Sequence, residues 1–175
     1  MKRFEGEALF LDRSDINTDE IIPAKYLTEI ERMALKPYLL EDLVLEGFSP
    51  VRDIPGKGVI VTRSNFGCGS SREHAVWALE ANGIHCVIAE SFARIFRQNM
   101  YNCGMLAVEL PKDVIDLLFR LGRSGRVIIR TDLEQGLFTV AANGEEEERI
   151  PFALSPFDRI LIEAGGWLEY ADRTY

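Results

Sequence analysis

The chain has 175 residues, of which 47% are hydrophobic and 27% charged, a composition typical of a globular protein with one sizeable core. Its 28 acidic and 20 basic residues give a net charge of −8, which argues against nucleic acid as the main partner because phosphate neutralisation needs a basic face. No apolar run reaches the length of about 20 residues that spans a membrane, and residues 1–12 lack the pattern of a signal peptide. We therefore expect a single domain over residues 1–175.

The cysteines bear on both location and metal binding. Cys68, Cys86 and Cys103 are odd in number and widely spaced, which does not suit a disulfide framework and favours a reducing cytoplasmic location. The chain has no C-x-x-C pair and only two histidines, so the spacing predicts no metal site. An iron–sulfur cluster takes about four ligands, mostly cysteines, and no such group is clustered in this sequence.

The first third of the chain reads as a strand followed by loops. Residues 7–11 are predicted to form a short strand, which leads into a polar loop over residues 12–20. The segment 37–47 is expected to be helical or irregular. Residues 49–58, rich in proline and glycine, are predicted to form another loop.

The centre of the chain has the pattern of a βαβ unit. An apolar, β-branched run at residues 58–62 predicts a buried strand, and a glycine-rich loop follows it. Residues 72–82 are predicted to form a helix that ends at Asn82-Gly83, before a second buried strand at residues 84–89. This order implies parallel pairing of the two strands.

The last part of the chain alternates strands and helices. Helices are predicted at residues 91–104, 111–122 and 155–166, the last capped by Ser155 with Pro156 in its first turn. Strands are predicted at residues 105–110, 126–132, 135–140 and 149–152. The acidic run 143–149 is expected to be a solvated turn. The fold class is therefore α/β, with a mixed sheet and flanking helices.

The glycine-rich loop, N-F-G-C-G-S-S-R-E-H-A at residues 65–75, is the main candidate site. It leaves the carboxyl end of a parallel strand and enters a helix N-terminus, where α/β sheets bind ligands and where backbone N–H groups favour anions. Gly67 and Gly69 allow sharp turns and close approach to a ligand. Ser70, Ser71 and Arg72 add hydroxyl donors and a guanidinium suited to a carboxylate or phosphate.

Several residues of this loop also have a structural interpretation. The pattern Ser70-x-x-Glu73 fits a capping box, which makes Glu73 structural, although Ser71 is an alternative cap. Packing or backbone roles are expected for His74, His85, Cys86 and Cys103. Cys68 could instead be a nucleophile with a lowered pKa, paired with one of the two histidines. A third alternative is a stand-alone anion-binding module, whereas a dinucleotide site lacks its third glycine.

Three ordered motifs resemble one protein family. Residues 65–75 closely resemble the motif of the aconitase-type swivelling domain. D-I-N-T-D-E-I-I-P-A-K-Y-L at residues 15–27 and V-I-A-E-S-F-A-R-I-F-R-Q-N-M-Y-N-C-G at residues 87–104 resemble the other signatures of its free-standing form. That form is the small-subunit family of 3-isopropylmalate dehydratase and its relatives, homoaconitase and dimethylmalate dehydratase.

The resemblance implies a swivelling β/β/α domain that is part of a hydro-lyase acting on a 2-hydroxy acid. It implies that a large subunit carries a 4Fe–4S cluster and that this chain binds no cofactor itself. Carried over by position, Ser70 matches the serine that removes a proton as an alkoxide. Ser71 and Arg72 match residues that bind substrate carboxylate, and Asp19 matches an acidic active-site residue.

The resemblance also bears on the substrate. In the family, the segment that is Tyr26, Leu27 and Thr28 here helps to select the substrate side chain. Isopropylmalate forms tend to have an apolar residue at the position of Thr28, and homoaconitase forms can have arginine. Thr28 is neutral and Glu29 would repel an added carboxylate. The expected substrate is therefore 2-isopropylmalate, in leucine biosynthesis, with homoaconitate, citramalate and dimethylmalate types as alternatives.

Overall fold

Seven strands form a mixed sheet in the computed structural model, which describes residues 2–175 except for the side chain of Glu147. The strands are β1 Gly6–Leu11, β2 Lys57–Thr62, β3 Cys86–Ala89, β4 Leu106–Glu109, β5 Val127–Asp132, β6 Leu137–Ala142 and β7 Glu145–Pro151. Their spatial order is β4-β3-β2-β1-β5-β6-β7. Strands β1 to β4 pair in parallel, and β5, β6 and β7 each pair antiparallel with the preceding strand in that order. The predicted mixed sheet is confirmed.

The parallel half of the sheet forms because its strands are short apolar runs that can be buried on both faces. All four residues of β3 are buried, as is β2 from Gly58 onward. Val59 pairs with Cys86 and Val61 pairs with Ile88. Helix α3, Glu73–Ala81, follows β2 and precedes β3. The predicted βαβ unit is therefore confirmed.

Helices flank the sheet. The other helices are α1 Thr18–Ile21, α2 Pro50–Asp53, α4 Arg94–Asn102, α5 Lys112–Ser124, α6 Pro156–Ala164 and α7 Trp167–Thr174, with 3-10 helices at Ala24–Tyr26 and Arg32–Tyr38. The Ser155 hydroxyl accepts a hydrogen bond from the Asp158 amide at 3.2 Å, which confirms the predicted cap of α6. None of the helices in the described part of the chain is long and apolar enough to cross a bilayer.

The prediction that Gly122 ends a helix is wrong, because α5 continues to Ser124. A Cβ atom on Gly122 would lie only 2.7 to 2.9 Å from the ring of Phe10 on β1. The glycine therefore allows close packing of α5 against the sheet, and it does not terminate the helix.

The acidic run at residues 143–149 is mostly strand, which corrects its prediction as a turn. Only Asn143 and Gly144 form the turn, and β7 begins at Glu145. Strand β7 lies at the edge of the sheet and pairs only with β6 among the described strands. Charged side chains on an edge strand oppose pairing with another molecule, so the charge run is compatible with β structure.

The first 55 residues contain more helix than the sequence predicts. Helix α1 begins within the predicted polar loop, and α2 lies within the predicted loop at residues 49–58. A 3-10 helix at Arg32–Tyr38 overlaps the start of the segment expected to be helical or irregular, and the rest of that segment consists mainly of turns. Buried leucines anchor this region in the core in place of a helical repeat: Leu35, Leu39 and Leu40. Helix α7 also has no counterpart among the predicted elements.

Gly83 and Gly104 offer a test of how the helices pack. Both follow a helix, with φ of +75° and +71°. A Cβ on Gly104 would lie 2.5 Å from the backbone of Gly165, whereas one on Gly83 meets no atom within 4 Å. We expect Gly83→Ala to lower the free energy of unfolding by about 1–2 kcal/mol, the usual cost of left-handed backbone.

Gly104→Ala should lower the free energy of unfolding by at least about 1 kcal/mol more than Gly83→Ala does, because the backbone of α4 or α6 must shift to admit the methyl group. Chemical denaturation of both variants measures the difference. Equal losses would show that the contact with Gly165 tolerates a side chain.

Candidate functional site

The glycine-rich loop lies at the edge of the sheet where β1 and β2 end. Because these strands are parallel, the segments that follow them leave the sheet at the same edge. The buried Thr62 hydroxyl donates to the Leu11 carbonyl at 2.8 Å and joins the two strand ends. Beyond this point the two segments run side by side, with the Gly67 amide donating to Ile16 at 2.8 Å and the Thr18 amide to Cys68 at 2.8 Å.

The third motif supports the same loop from the other side. The Phe66 amide donates to the Ser91 carbonyl at 3.1 Å, and the Ala93 amide donates to Phe66 at 3.0 Å. The Phe66 and Phe96 rings pack edge to face at 5.3 Å. The structure thus brings together the three motifs that are separate in the sequence.

The two loop glycines have different neighbours. Gly67 and Gly69 both have positive φ, +83° and +99°, as the predicted sharp turns require. A Cβ on Gly67 would lie 2.2 Å from the ring of Phe96, so this glycine allows the loop to pack closely against α4. Ligand contact by the two glycines stays a prediction.

Ser70 is exposed, but its backbone is held by a buried residue. Its amide donates to the hydroxyl of Thr18 at 3.1 Å, and Thr18 is 1% exposed. Thr18 is not among the predicted site residues, although it lies in the N-T-D part of the motif at residues 15–27. This contact fixes the position of the Ser70 main chain and leaves its hydroxyl at the surface.

The predicted capping roles of Ser70 and Ser71 are wrong. Helix α3 begins at Glu73, and its N-cap residue, Arg72, makes no side-chain cap hydrogen bond. The serines precede the N-cap, too early in the chain for their hydroxyls to reach the first helical amides. A capping box is present on α1, where Asn17 accepts from the Glu20 amide at 2.9 Å and Glu20 accepts from the Asn17 amide at 3.1 Å.

Arg72 of the loop forms an ion pair with Asp19 of the motif at residues 15–27. Arg72 Nη1 donates to Asp19 Oδ1, with the Arg72 side chain 21% exposed and that of Asp19 62% exposed. Glu20, the next residue of α1, accepts a hydrogen bond from Arg13, and this bond lowers the pKa of the Glu20 carboxyl. The loop therefore presents two hydroxyls beside a guanidinium that one carboxylate already orients.

The segment with the predicted selectivity residues lies next to the start of α3. The Tyr26 ring stacks on Tyr38 at 3.9 Å, and its hydroxyl donates to the Glu41 carboxylate at 2.8 Å. Leu27 is half-buried and Thr28 is exposed. Contact of these three residues with substrate stays a prediction.

The residues assigned to the scaffold behave as such. His74 Nε2 lies 3.0 Å from the Glu29 carbonyl oxygen, which confirms its bond to the backbone. Glu73 accepts a hydrogen bond from Cys103 Sγ at 3.2 Å, and Cys103 is the C-cap of α4. Cys86 is buried in β3. His85 is only half-buried, just before β3, where Nδ1 lies 3.2 Å from the Arg3 carbonyl oxygen.

The cysteines do not have the properties of a nucleophile. Burial, with a smaller contribution from Asp15, raises the pKa of the Cys68 thiol, contrary to the lowered pKa of the alternative hypothesis. Burial raises the pKa of Cys86 as well, and burial with the Glu73 hydrogen bond raises that of Cys103 to about 12. Within residues 2–175, no group of three or more His, Cys, Asp or Glu side chains is placed to hold a metal ion.

This combination of a mixed sheet, flanking helices and a serine–arginine loop at the strand ends defines an aconitase-type swivelling domain. In agreement, the model of the aconitase C-terminal domain family matches residues 41–113. The protein superposes on the crystal structure of a 3-isopropylmalate dehydratase chain, leuD, from Methanocaldococcus jannaschii with a TM-score of 0.77 and 32% identity. The match covers 98% of this chain and 94% of that one.

Sequence relatives identify the family more closely. The chain is 41% identical over 164 residues to the 3-isopropylmalate dehydratase small subunit of Granulibacter bethesdensis, covering 87% of this chain and 75% of the relative. It is 43% identical over 158 residues to that of Deinococcus deserti, covering 90% of this chain and 81% of the relative. The chain belongs to the family of 3-isopropylmalate dehydratase small subunits, which confirms the resemblance of its motifs.

Thr18→Val tests whether the buried hydroxyl holds the serine loop. The substitution removes the acceptor of the Ser70 amide and keeps the side-chain volume nearly unchanged. We expect the Ser70 amide to exchange with solvent about tenfold faster, and the free energy of unfolding to fall by about 1 kcal/mol. Hydrogen exchange followed by NMR measures the first effect, and Thr18→Ser is the matched control because it keeps the hydroxyl. Unchanged exchange at Ser70 in the valine variant would mean that other contacts hold the loop.

The raised pKa of Cys68 predicts a pH dependence of alkylation. A thiol with a raised pKa has a smaller thiolate fraction at neutral pH, and the thiolate is the reactive form. Iodoacetamide should therefore modify Cys68 in the folded chain more slowly than in a peptide of residues 65–72. The midpoint of its rate–pH profile should lie above the ordinary cysteine pKa of about 8.5. Peptide mapping reports the rate, and a midpoint below that of the peptide contradicts the expectation.

Proposed function

We propose that this chain is the small subunit of a 3-isopropylmalate dehydratase of leucine biosynthesis, which converts 2-isopropylmalate to 3-isopropylmalate with a large subunit. The family membership supports the activity. The observation that carries the assignment of roles is the exposed pair Ser70 and Ser71 beside the Arg72–Asp19 ion pair, with neither serine engaged as a helix cap. These residues act on substrate, and the core beneath them positions the loop.

In this proposal Ser70 is the base. Its alkoxide takes the proton from C3 of 2-isopropylmalate as the bond between C2 and the hydroxyl oxygen breaks. The hydroxide released from C2, or an equivalent one from water, then adds to C3, and Ser70 returns its proton to C2, so that the hydroxyl has moved by one carbon and the serine is again an alkoxide. A serine hydroxyl is a weak base at neutral pH and needs a strongly stabilising environment. The Arg72 guanidinium and the N-terminus of α3 supply positive charge there.

Ser71 and Arg72 bind a substrate carboxylate. A guanidinium has five N–H donors, and Asp19 accepts from one of the two at Nη1. The remaining donors can take a carboxylate in a bidentate arrangement while Asp19 holds the side chain in place. Asp19 thus contributes by orienting Arg72.

The 4Fe–4S cluster is assigned to the large subunit. The cysteines of this chain do not suit it as ligands, because Cys86 and Cys103 are buried in the core and the described residues contain no group of three or more His, Cys, Asp or Glu side chains placed to hold a metal. The cluster supplies Lewis-acid chemistry at the hydroxyl that leaves. Two exposed apolar side chains close in sequence to Tyr26–Thr28 support a binding surface for a partner subunit: Ile30 is 87% exposed and Met33 is 62% exposed.

The charges around the selectivity segment favour an apolar substrate side chain. Two cations flank Tyr26 to Thr28, and both are paired: Lys25 lies 3.9 Å from Glu41, and Arg32 lies 2.6 Å from Glu80. Glu29 adds a negative charge to the segment. Glu29 therefore repels an additional substrate carboxylate, as in homoaconitate, whereas an isopropyl group can lie against Leu27.

Ser70→Ala tests the proposed base. In the enzyme reconstituted with the large subunit encoded by the same genome, we expect turnover of 2-isopropylmalate to fall by at least about a hundredfold, because the variant lacks the hydroxyl proposed to move the C3 proton. Assembly with the large subunit, followed by gel filtration, should be unchanged. Ser124→Ala is the control, since Ser124 lies at the end of α5 and donates to the Leu121 carbonyl. Substantial turnover by the Ser70 variant would remove Ser70 from the role of base.

A further inference from the structure

One face of α3 holds the chain segment that follows the selectivity residues. His74 bonds the Glu29 carbonyl at 3.0 Å, and Glu80 pairs with Arg32 at 2.6 Å. Between them the Trp77 ring lies 4.6 Å from the His74 imidazole and 5.1 Å from the Arg32 guanidinium. Positions 74, 77 and 80 recur at helical spacing, so their side chains share a face. This face anchors the backbone from Glu29 to Arg32.

The other end of the same segment has an independent anchor. Tyr26 is held by its stacking on Tyr38 and by its hydrogen bond to Glu41. The Glu29 amide also donates to the Tyr26 carbonyl at 3.2 Å, which closes a turn over the residues between them. Leu27 and Thr28 therefore lie in a short turn that is anchored at both ends.

His74 connects the turn at Leu27 and Thr28 directly to the serine loop. It lies two residues after Arg72, in the first turn of the helix that Ser70 and Ser71 precede. A carbonyl oxygen can only accept a hydrogen bond, so Nε2 carries the proton and donates to Glu29. Packing against Trp77 sets the plane of the imidazole. Arg32, which Trp77 and Glu80 contact, is four residues beyond Thr28, whereas Glu29, which His74 contacts, is the next residue.

We propose that His74 is a positioning residue that sets the location of Leu27 and Thr28 relative to Ser70–Arg72, and thereby determines which 2-hydroxy acid side chain the enzyme accepts. The inference rests on the proposed function, in which these two groups of residues contact the same substrate. His74 itself does not touch the reacting atoms. Its effect is on the distance between the group that selects the side chain and the group that binds the carboxylate.

The test compares His74→Leu with His74→Gln in the reconstituted enzyme. The measured quantity is the ratio of kcat/KM for 2-isopropylmalate to kcat/KM for citramalate, which has a methyl group in place of isopropyl. Loss of one hydrogen bond should lower this ratio about fivefold in the leucine variant, through a higher KM for 2-isopropylmalate and with kcat nearly unchanged. Glutamine keeps an N–H donor and should restore the ratio. A leucine variant with the wild-type ratio would overturn the proposal.

His85→Leu is the matched control. His85 is the other histidine of the chain and likewise bonds a backbone carbonyl, that of Arg3, at 3.2 Å. It precedes β3 and so lies at the sheet edge opposite the serine loop. Its substitution should lower stability and leave the substrate ratio unchanged. An equal change of ratio in both leucine variants would mean that general destabilisation, and not positioning, causes the effect.

A second measurement separates this inference from the proposed function. Hydrogen exchange of the Glu29 amide in the isolated full-length chain needs no activity. His74→Leu should accelerate it about tenfold, because the turn loses its anchor, whereas His74→Gln should not. Unchanged exchange overturns the positioning role even if the enzyme is active. Absence of 2-isopropylmalate turnover by the wild-type pair would overturn the proposed function and leave the exchange result to decide whether His74 anchors the turn.

Discussion

The parallel pairing of β1 with β2 is the constraint on which the candidate site depends. It places the ends of both strands at one sheet edge, where the Thr62 hydroxyl joins them through the Leu11 carbonyl. Only from that point can the two following segments lie side by side. Ser70 then receives its main-chain support from Thr18, a residue 52 positions earlier in the chain. This pairing is what brings the serines and Arg72 close to Asp19.

Helix α3 extends this arrangement from the serine loop to the selectivity segment. The hydroxyls and the guanidinium lie at its N-terminus, and its half-buried face of His74, Trp77 and Glu80 holds the backbone beyond Thr28. A helix is stiff over this length because each turn is hydrogen-bonded to the next. In the proposed function, the same element therefore sets both the position of Ser70 and its distance from the residues that face the substrate side chain. Changes in the first turn of α3 should affect selectivity as well as rate.

The differences between the sequence predictions and the structure have a common physical origin. Gly122 has the pattern of a helix stop, but its role is to allow the close approach of Phe10 from another element. Ser70 and Glu73 have the spacing of a capping box, but the chain enters α3 later than the pattern assumes. The acidic run resembles a loop because its charges are solvated, yet solvation is also available to an edge strand. In each case a local pattern allowed two structures, and the place of the segment in the tertiary structure selected one.

The sequence by itself determined the mixed α/β fold, the βαβ unit, the family and the set of residues to consider, because apolar periodicity and motif spacing are local properties. It also located the scaffold roles of Cys86, Cys103 and His74. Only the tertiary structure decided that Thr18 supports Ser70, that Asp19 holds Arg72, that burial raises the pKa of Cys68 and that His74 anchors the turn beside Thr28. Those are contacts and burial between residues far apart in the chain, and their geometry is set by how the strands and helices pack.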